Sequence, residues 1–188
     1  MSNAISILNR ASFSGAVKIT DSRLRGMITL RGDLDSAQFK AAVSAAVGSD
    51  IPAQRKIAHG PMGGVAWMSP DELLLLVAYD QADAIAAQIS ETLGAEHHMA
   101  VNVSDARAIF RIEGQGAREV LAKGAPIDLS PEAFGIGDLR RTRVGQLAAA
   151  FWMTQTDTFE LICFRSVGEF MFDWLTNAAR DGSLPEYF

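Results

Sequence analysis

A chain of 188 residues, 48% apolar and 21% charged, has the composition of an ordinary folded protein with enough apolar surface for one core or two small ones. Its net charge of −5 excludes a protein that holds nucleic acid through clustered Lys and Arg, because neutralising phosphates needs a basic surface. No run approaches the roughly 20 apolar residues of a membrane span. Met1–Arg25 has no continuous apolar stretch behind a basic start, as a secretion signal would, so the cytoplasm is the expected compartment.

Residues 1–25 show no clear periodicity and read as an N-terminal arm, irregular or laid on a partner. Met27–Arg31 reads as a strand with Ile28 and Leu30 on one face, broken by Gly32-Asp33. Asp35 with Gln38 three residues on looks like a capping box. Phe39, Ala42, Val43, Ala46 and Val47 then recur at helical spacing, and Gly48 supplies a stop. Asp50–His59 reads as extended, with Pro52 placing it at an edge or a strand start. Val65–Met68 and Leu73–Ala78 make a hairpin across Ser69-Pro70-Asp71-Glu72, a run of turn-forming residues. Asp80 is expected to cap a helix whose buried stripe is Ile85, Ile89 and Leu93, ending at Gly94.

The second half repeats this order. His97–Val103 and Arg107–Ile112 read as strands, and Gly114-Gln115-Gly116 leads into a short helix carrying Val120 and Leu121. Ala125–Asp138 is a loop with Pro126 and Pro131, Arg140–Arg143 is extended, and Leu147–Thr154 pairs with Thr158–Phe164. Ser166 is expected to cap the last helix. Its apolar face takes Val167, Phe170, Met171, Trp174, Leu175, Ala178 and Ala179. The two hairpins echo each other, with Trp67-Met68-Ser69 answered by Trp152-Met153-Thr154. Duplication of a supersecondary unit follows, because solenoid repeats are shorter and more numerous.

Helices on one face of a mainly antiparallel sheet make an α+β fold of two strand–helix–strand–strand–helix halves. The division expected is an arm over 1–25, halves over 26–94 and 95–180, and a tail over 181–188, all within one compact domain.

The residues that carry chemistry elsewhere do not assemble here. Cys163 is the lone cysteine, set in an apolar strand where a thiol serves as a small hydrophobe. His97 and His98 are adjacent and point to opposite faces of a strand, and His59 stands apart, so no metal site is expected. Gly114-Gln115-Gly116 lacks the third glycine of a dinucleotide fingerprint and the Lys-Ser/Thr of a phosphate loop. Arg140, Arg141 and Arg143 form the basic knot of the chain, read as a solvated surface. Asp105 and Glu113 flank strand ends as ordinary carboxylates do. No catalytic, cofactor-binding or metal-binding residue is therefore assigned.

The stretch from Val101-Asn102-Val103-Ser104-Asp105 through Gly114-Gln115-Gly116-Ala117 to Val120-Leu121 resembles the folate-binding domain of the glycine-cleavage T-protein superfamily. With Trp67–Leu74, His98–Arg107, Gly124–Leu129 and Arg140–Gly145, the chain over about residues 25–180 resembles the gamma-subunit family of heterotetrameric sarcosine oxidases. That resemblance implies a non-catalytic accessory subunit with no cofactor of its own. Its partners are implied to be alpha, beta and delta subunits that carry FAD, FMN, NAD and zinc. The complex is implied to demethylate sarcosine oxidatively to glycine, yielding hydrogen peroxide and formaldehyde or methylenetetrahydrofolate. Where the T-protein pattern has an acidic residue after its glycine turn, this chain has Gly145-Gln146-Leu147-Ala148-Ala149-Ala150. The alternative is a stand-alone folate-binding one-carbon-transfer protein of the T-protein type, which needs a replacement acid.

Overall fold

Short apolar runs separated by polar turns pair as antiparallel neighbours, and the intervening periodic segments coil as helices. In the computed structural model, which describes residues 5–9 and 11–188, the elements in chain order begin with β1 (Ser12–Ser14), β2 (Lys18–Asp21), β3 (Gly26–Gly32), α1 (Ala37–Val47) and β4 (Ile57–His59). Next come β5 (Gly64–Ser69), β6 (Glu72–Val77), α2 (Ala82–Leu93), β7 (His98–Asn102), β8 (Arg107–Glu113) and α3 (Ala117–Ala122). The chain continues with β9 (Leu139–Val144), β10 (Leu147–Gln155), β11 (Thr158–Phe164) and α4 (Gly168–Ala178).

The chain divides into two compact units, Arg25–Ser104 and a second made of Met1–Leu24 with Asp105–Phe188. This corrects the division expected from sequence in three places. The boundary falls after Ser104 rather than after residue 94, because β7 pairs with β3 from Ile28↔Asn102 to Gly32↔His98. The arm is not irregular throughout: β1 and β2 form a small antiparallel pair, and β2 joins β8 with Ile19 opposite Ile112. Two units replace the single domain.

In the unit Arg25–Ser104 the strand order is β4-β5-β6-β3-β7, with every neighbouring pair antiparallel. Leu30, Leu73 and Leu75 of the sheet bury against Phe39, Val43 and Val47 of α1 and Ile89 and Leu93 of α2. The cap of α1 is Ser36, not Asp35. The Ser36 hydroxyl accepts the Phe39 N–H at 3.2 Å, while Asp35 N–H turns back to Asp33 Oδ1 at 2.9 Å. Such a cap contributes about 1 kcal/mol. Gly48 ends the helix at φ 72°, a left-handed position that glycine adopts without cost. A 3-10 turn, Tyr79–Gln81, leads into α2, so Asp80 lies in that turn and makes no side-chain cap. The buried stripe of α2 is Ala82, Ala86, Ile89 and Leu93, with Ile85 half-buried at its border.

The second unit has the strand order β1-β2-β8-β11-β10-β9, again antiparallel at every pairing. Its core joins Phe110, Ile112, Phe151, Phe159 and Leu161 of the sheet to Val120 and Leu121 of α3 and to Met171 and Leu175 of α4. The long loop before β9 also contributes, since Leu129 and Phe134 are fully buried and Arg118 Nη1 donates to Leu129 O at 2.7 Å. A 3-10 turn, Arg165–Val167, precedes α4. Ser166 makes no cap, and Phe170, assigned to the buried face from sequence, is 58% exposed.

The two units share one strand plan: β4-β5-β6-β3 corresponds to β9-β10-β11-β8. The hairpin turns correspond as Pro70-Asp71 and Thr156-Asp157, each following a register shift in the first strand. Trp67 opposite Leu73 therefore matches Met153 opposite Phe159, and Trp152 matches Ala66. The echo in the sequence is one residue out of register, which on a strand reverses the face. Trp67 packs on the helix side of its sheet. Trp152 lies on the other face of its own sheet, fully buried, and its indole N–H donates to Glu160 Oε2 at 3.1 Å.

The last link between β7 and its sheet is polar. Ser104 Oγ accepts the Met27 N–H at 2.9 Å and donates to Asn102 Oδ1 at 2.5 Å, while Asn102 Nδ2 donates to Asp83 Oδ1 at 2.7 Å. Ser104→Ala leaves the Met27 N–H without its acceptor. It is expected to lower unfolding free energy by about 1–3 kcal/mol, read by urea denaturation, with the far-ultraviolet circular dichroism unchanged.

Candidate functional site

Cys163 is buried on β11, and burial pushes its thiol up to about 12 against a smaller opposing pull from Arg107. A thiol held that high is not a nucleophile at neutral pH. His59 and His97 are exposed, and half-buried His98 sets Nδ1 2.7 Å from Glu96 O. Among the described residues no group of three His, Cys, Asp or Glu side chains could hold a metal ion.

The Gly114-Gln115-Gly116 turn is filled by the chain itself. Gly114 has φ 131°, Ala117 N–H donates to Gly114 O, and a Cβ placed on Gly116 would meet Leu184 Cδ1 at 2.5 Å. The close approach that glycine permits here receives a leucine from the tail, not a phosphate. Asp105 lines an open depression with Ile7, Ala106, Phe164, Arg165, Ser166 and Glu169, and Glu113 pairs with Arg111 Nε at 3.0 Å.

The arginine knot lies on β9, an edge strand. Arg140 turns toward the core side, 5.3 Å above the Phe134 ring and with Asp138 at 3.7 Å, while Arg141 and Arg143 point to the opposite face. The Gly145-Gln146 turn then joins β9 to β10. Ala148 is exposed opposite Arg143, Ala149 enters the core, and Ala150 is buried opposite Arg141. No Asp or Glu occurs between Leu139 and Met153. The residues at this hairpin thus do not fit acid–base chemistry on a folate-bound carbon.

The surface is more distinctive than the interior. Ile5, Phe164 and Phe170 are each at least half exposed, and the Arg107 guanidinium sits 4.6 Å over the Phe164 ring. Tyr187 and Phe188 are exposed at the other end of the same unit's chain. Sequence reading missed Glu119, a buried carboxylate on α3 that accepts two tail N–H groups. Its partners lie nearly seventy residues away, beyond the reach of any local pattern.

The family described as sarcosine oxidase, gamma subunit, matches residues 31–181. The chain belongs to this family. It is 30% identical over 148 residues to the sarcosine oxidase subunit gamma of Corynebacterium sp. (strain U-96), spanning 78% of this chain and 71% of that relative. To the corresponding subunit of Corynebacterium sp. (strain P-1) it is 28% identical over 171 residues, spanning 90% and 83%. Among solved structures it is similar to a chain of the heterotetrameric sarcosine oxidase from Corynebacterium sp. U-96 in complex with pyrrole 2-carboxylate. That match has a TM-score of 0.79 and 27% identity, covering 89% of this chain and 87% of the other. The glycine cleavage system aminomethyltransferase T from Bartonella henselae matches at a TM-score of 0.58 and 13% identity, over 84% of this chain and 44% of that one. This second likeness shows the fold alone, and it is the T-protein-like fold that the glycine turn and following helix suggest.

The Cys163 thiol is expected to resist Ellman's reagent at pH 8 in the folded protein and to react fully in denaturant. Because the folded value is raised, its contribution to stability is full below the unfolded value of about 8.5. That contribution is lost as pH rises toward about 12. Cys163→Ala removes that part of the alkaline slope in stability measured against pH.

Proposed function

We propose that this chain is the non-catalytic gamma subunit of a heterotetrameric sarcosine oxidase working in the cytoplasm with alpha, beta and delta subunits. The observation that carries this reading is the match to a chain of a solved heterotetrameric sarcosine oxidase along nearly its whole length. In the reading, FAD, FMN, NAD and zinc reside in the partner subunits. The complex oxidatively demethylates sarcosine to glycine, with hydrogen peroxide formed and the one-carbon unit released as formaldehyde or passed to tetrahydrofolate.

The physical support comes from what the residues of this chain are used for. Its cysteine is a core atom, its glycine turn is packed by Leu184, and its β9–β10 hairpin carries no carboxylate. Its outward features are apolar and aromatic side chains on a structured surface, the equipment of a binding subunit. Among the described residues no helix is long and apolar enough to cross a membrane.

The test is expression of the chain alone and together with the large subunits of its own organism. Alone, it is expected to be colourless and to produce no peroxide from sarcosine; together, it co-purifies in a yellow complex with sarcosine-dependent peroxide production. A flavin spectrum from the isolated chain, or micromolar binding of a reduced folate to it by calorimetry, defeats the accessory reading. The folate result favours a folate-binding one-carbon-transfer protein instead.

A further inference from the structure

Glu119 is 5% exposed on α3, and its Oε1 accepts the backbone N–H of Tyr187 at 2.5 Å and of Phe188 at 2.7 Å. Its Oε2 is buried and has no hydrogen-bond partner among the described residues. Removing a carboxylate from water is costly unless hydrogen bonds compensate. Here the compensation comes from two consecutive N–H groups of a terminal segment that adds little to the core. Three more ties hold the same segment. Lys123 Nζ donates to Ser183 Oγ at 2.9 Å; Ser183 Oγ donates to Ala178 O, at the end of α4, at 3.1 Å; and Leu184 packs against the core beside Gly116.

The backbone is thus pinned while the large side chains face outward. Tyr187 is 81% exposed and Phe188 44% exposed, their rings edge-to-face with centroids 5.2 Å apart. A tail held only by its own apolar groups would turn these rings inward, since each offers a large area for burial. A rigid aromatic pair on a fixed backbone is instead what a binding hot spot uses, because the ordering cost is met before the partner arrives.

We propose that the Tyr187–Phe188 ring pair is an anchor received by an apolar pocket on a partner subunit of the assembly, and that Glu119 is the positioning residue that holds it in the receivable conformation. This rests on the accessory-subunit reading. The partner contributes an aliphatic or aromatic pocket with an acceptor for the Tyr187 phenol at its rim.

The experiment titrates the full chain against its partner subunits and compares wild type, Tyr187→Ala/Phe188→Ala, Glu119→Ala and Glu119→Gln by native mass spectrometry and dissociation constant. The double alanine variant is expected to bind at least about 30-fold more weakly, with the thermal unfolding of the isolated chain unchanged. Glu119→Ala weakens assembly about tenfold by releasing the tail. Glu119→Gln stays within about threefold, because the amide oxygen accepts the same two N–H groups. Wild-type affinity in the double variant overturns the anchor and leaves the accessory reading standing. So does a dimer of the isolated chain that the double variant abolishes, since the rings then face a second copy. Failure of the wild-type chain to assemble at all overturns the accessory reading, and the anchor with it.

Discussion

The antiparallel pairing of one first strand with the return strand of one hairpin governs each unit: β3 with β6, and β8 with β11. These strands are buried along nearly their whole length, so every residue must face something apolar or find a hydrogen bond. Their register decides which side chains meet the helices. Ile28 and Leu30 in one unit, and Phe110 and Ile112 in the other, face the helix layer only because the hairpin turns hold the pairing where they do. Polar residues enter where the pairing leaves a group to satisfy, as Glu160 does beside Trp152.

The same constraint explains what could be read from sequence. Strands, helices and their order were legible because turn residues and helical spacing mark them, and the duplication was legible from the hairpin echo. The register of the echo was not. Leu73–Val77 is apolar without alternation, so nothing in it says which residue faces in, whereas Thr158-Phe159-Glu160-Leu161 does alternate. The tryptophans drew the alignment by identity, although they sit on opposite faces of their respective sheets relative to the helices. The arm was illegible for another reason: strands of three and four residues at a sheet edge are too short to show a period. The stripe of α2 shifted because alanines, weak signals in sequence, carry half of its burial.

Family membership was legible through motifs scattered along the chain. The surface was less so. Exposure of Phe170 contradicts an otherwise regular helical stripe, and the Glu119 clamp joins α3 to the tail across a distance in sequence that no pattern spans. The T-protein-like frame keeps its sheets and helices while Leu184 packs beside Gly116.

The chain order of the second unit has a consequence for its birth on the ribosome. β1 and β2 emerge first, but β8, which pairs with β2, follows only after the whole of Arg25–Ser104, and β11 later still. At ordinary translation speeds β2, paired with β1 on one side, waits on the order of ten seconds with its other edge open. Arg25–Ser104 holds all of its own strands and can close during that wait. The nascent protein therefore passes through a state with one finished unit and a β1–β2 ribbon whose β8 partner is still to come.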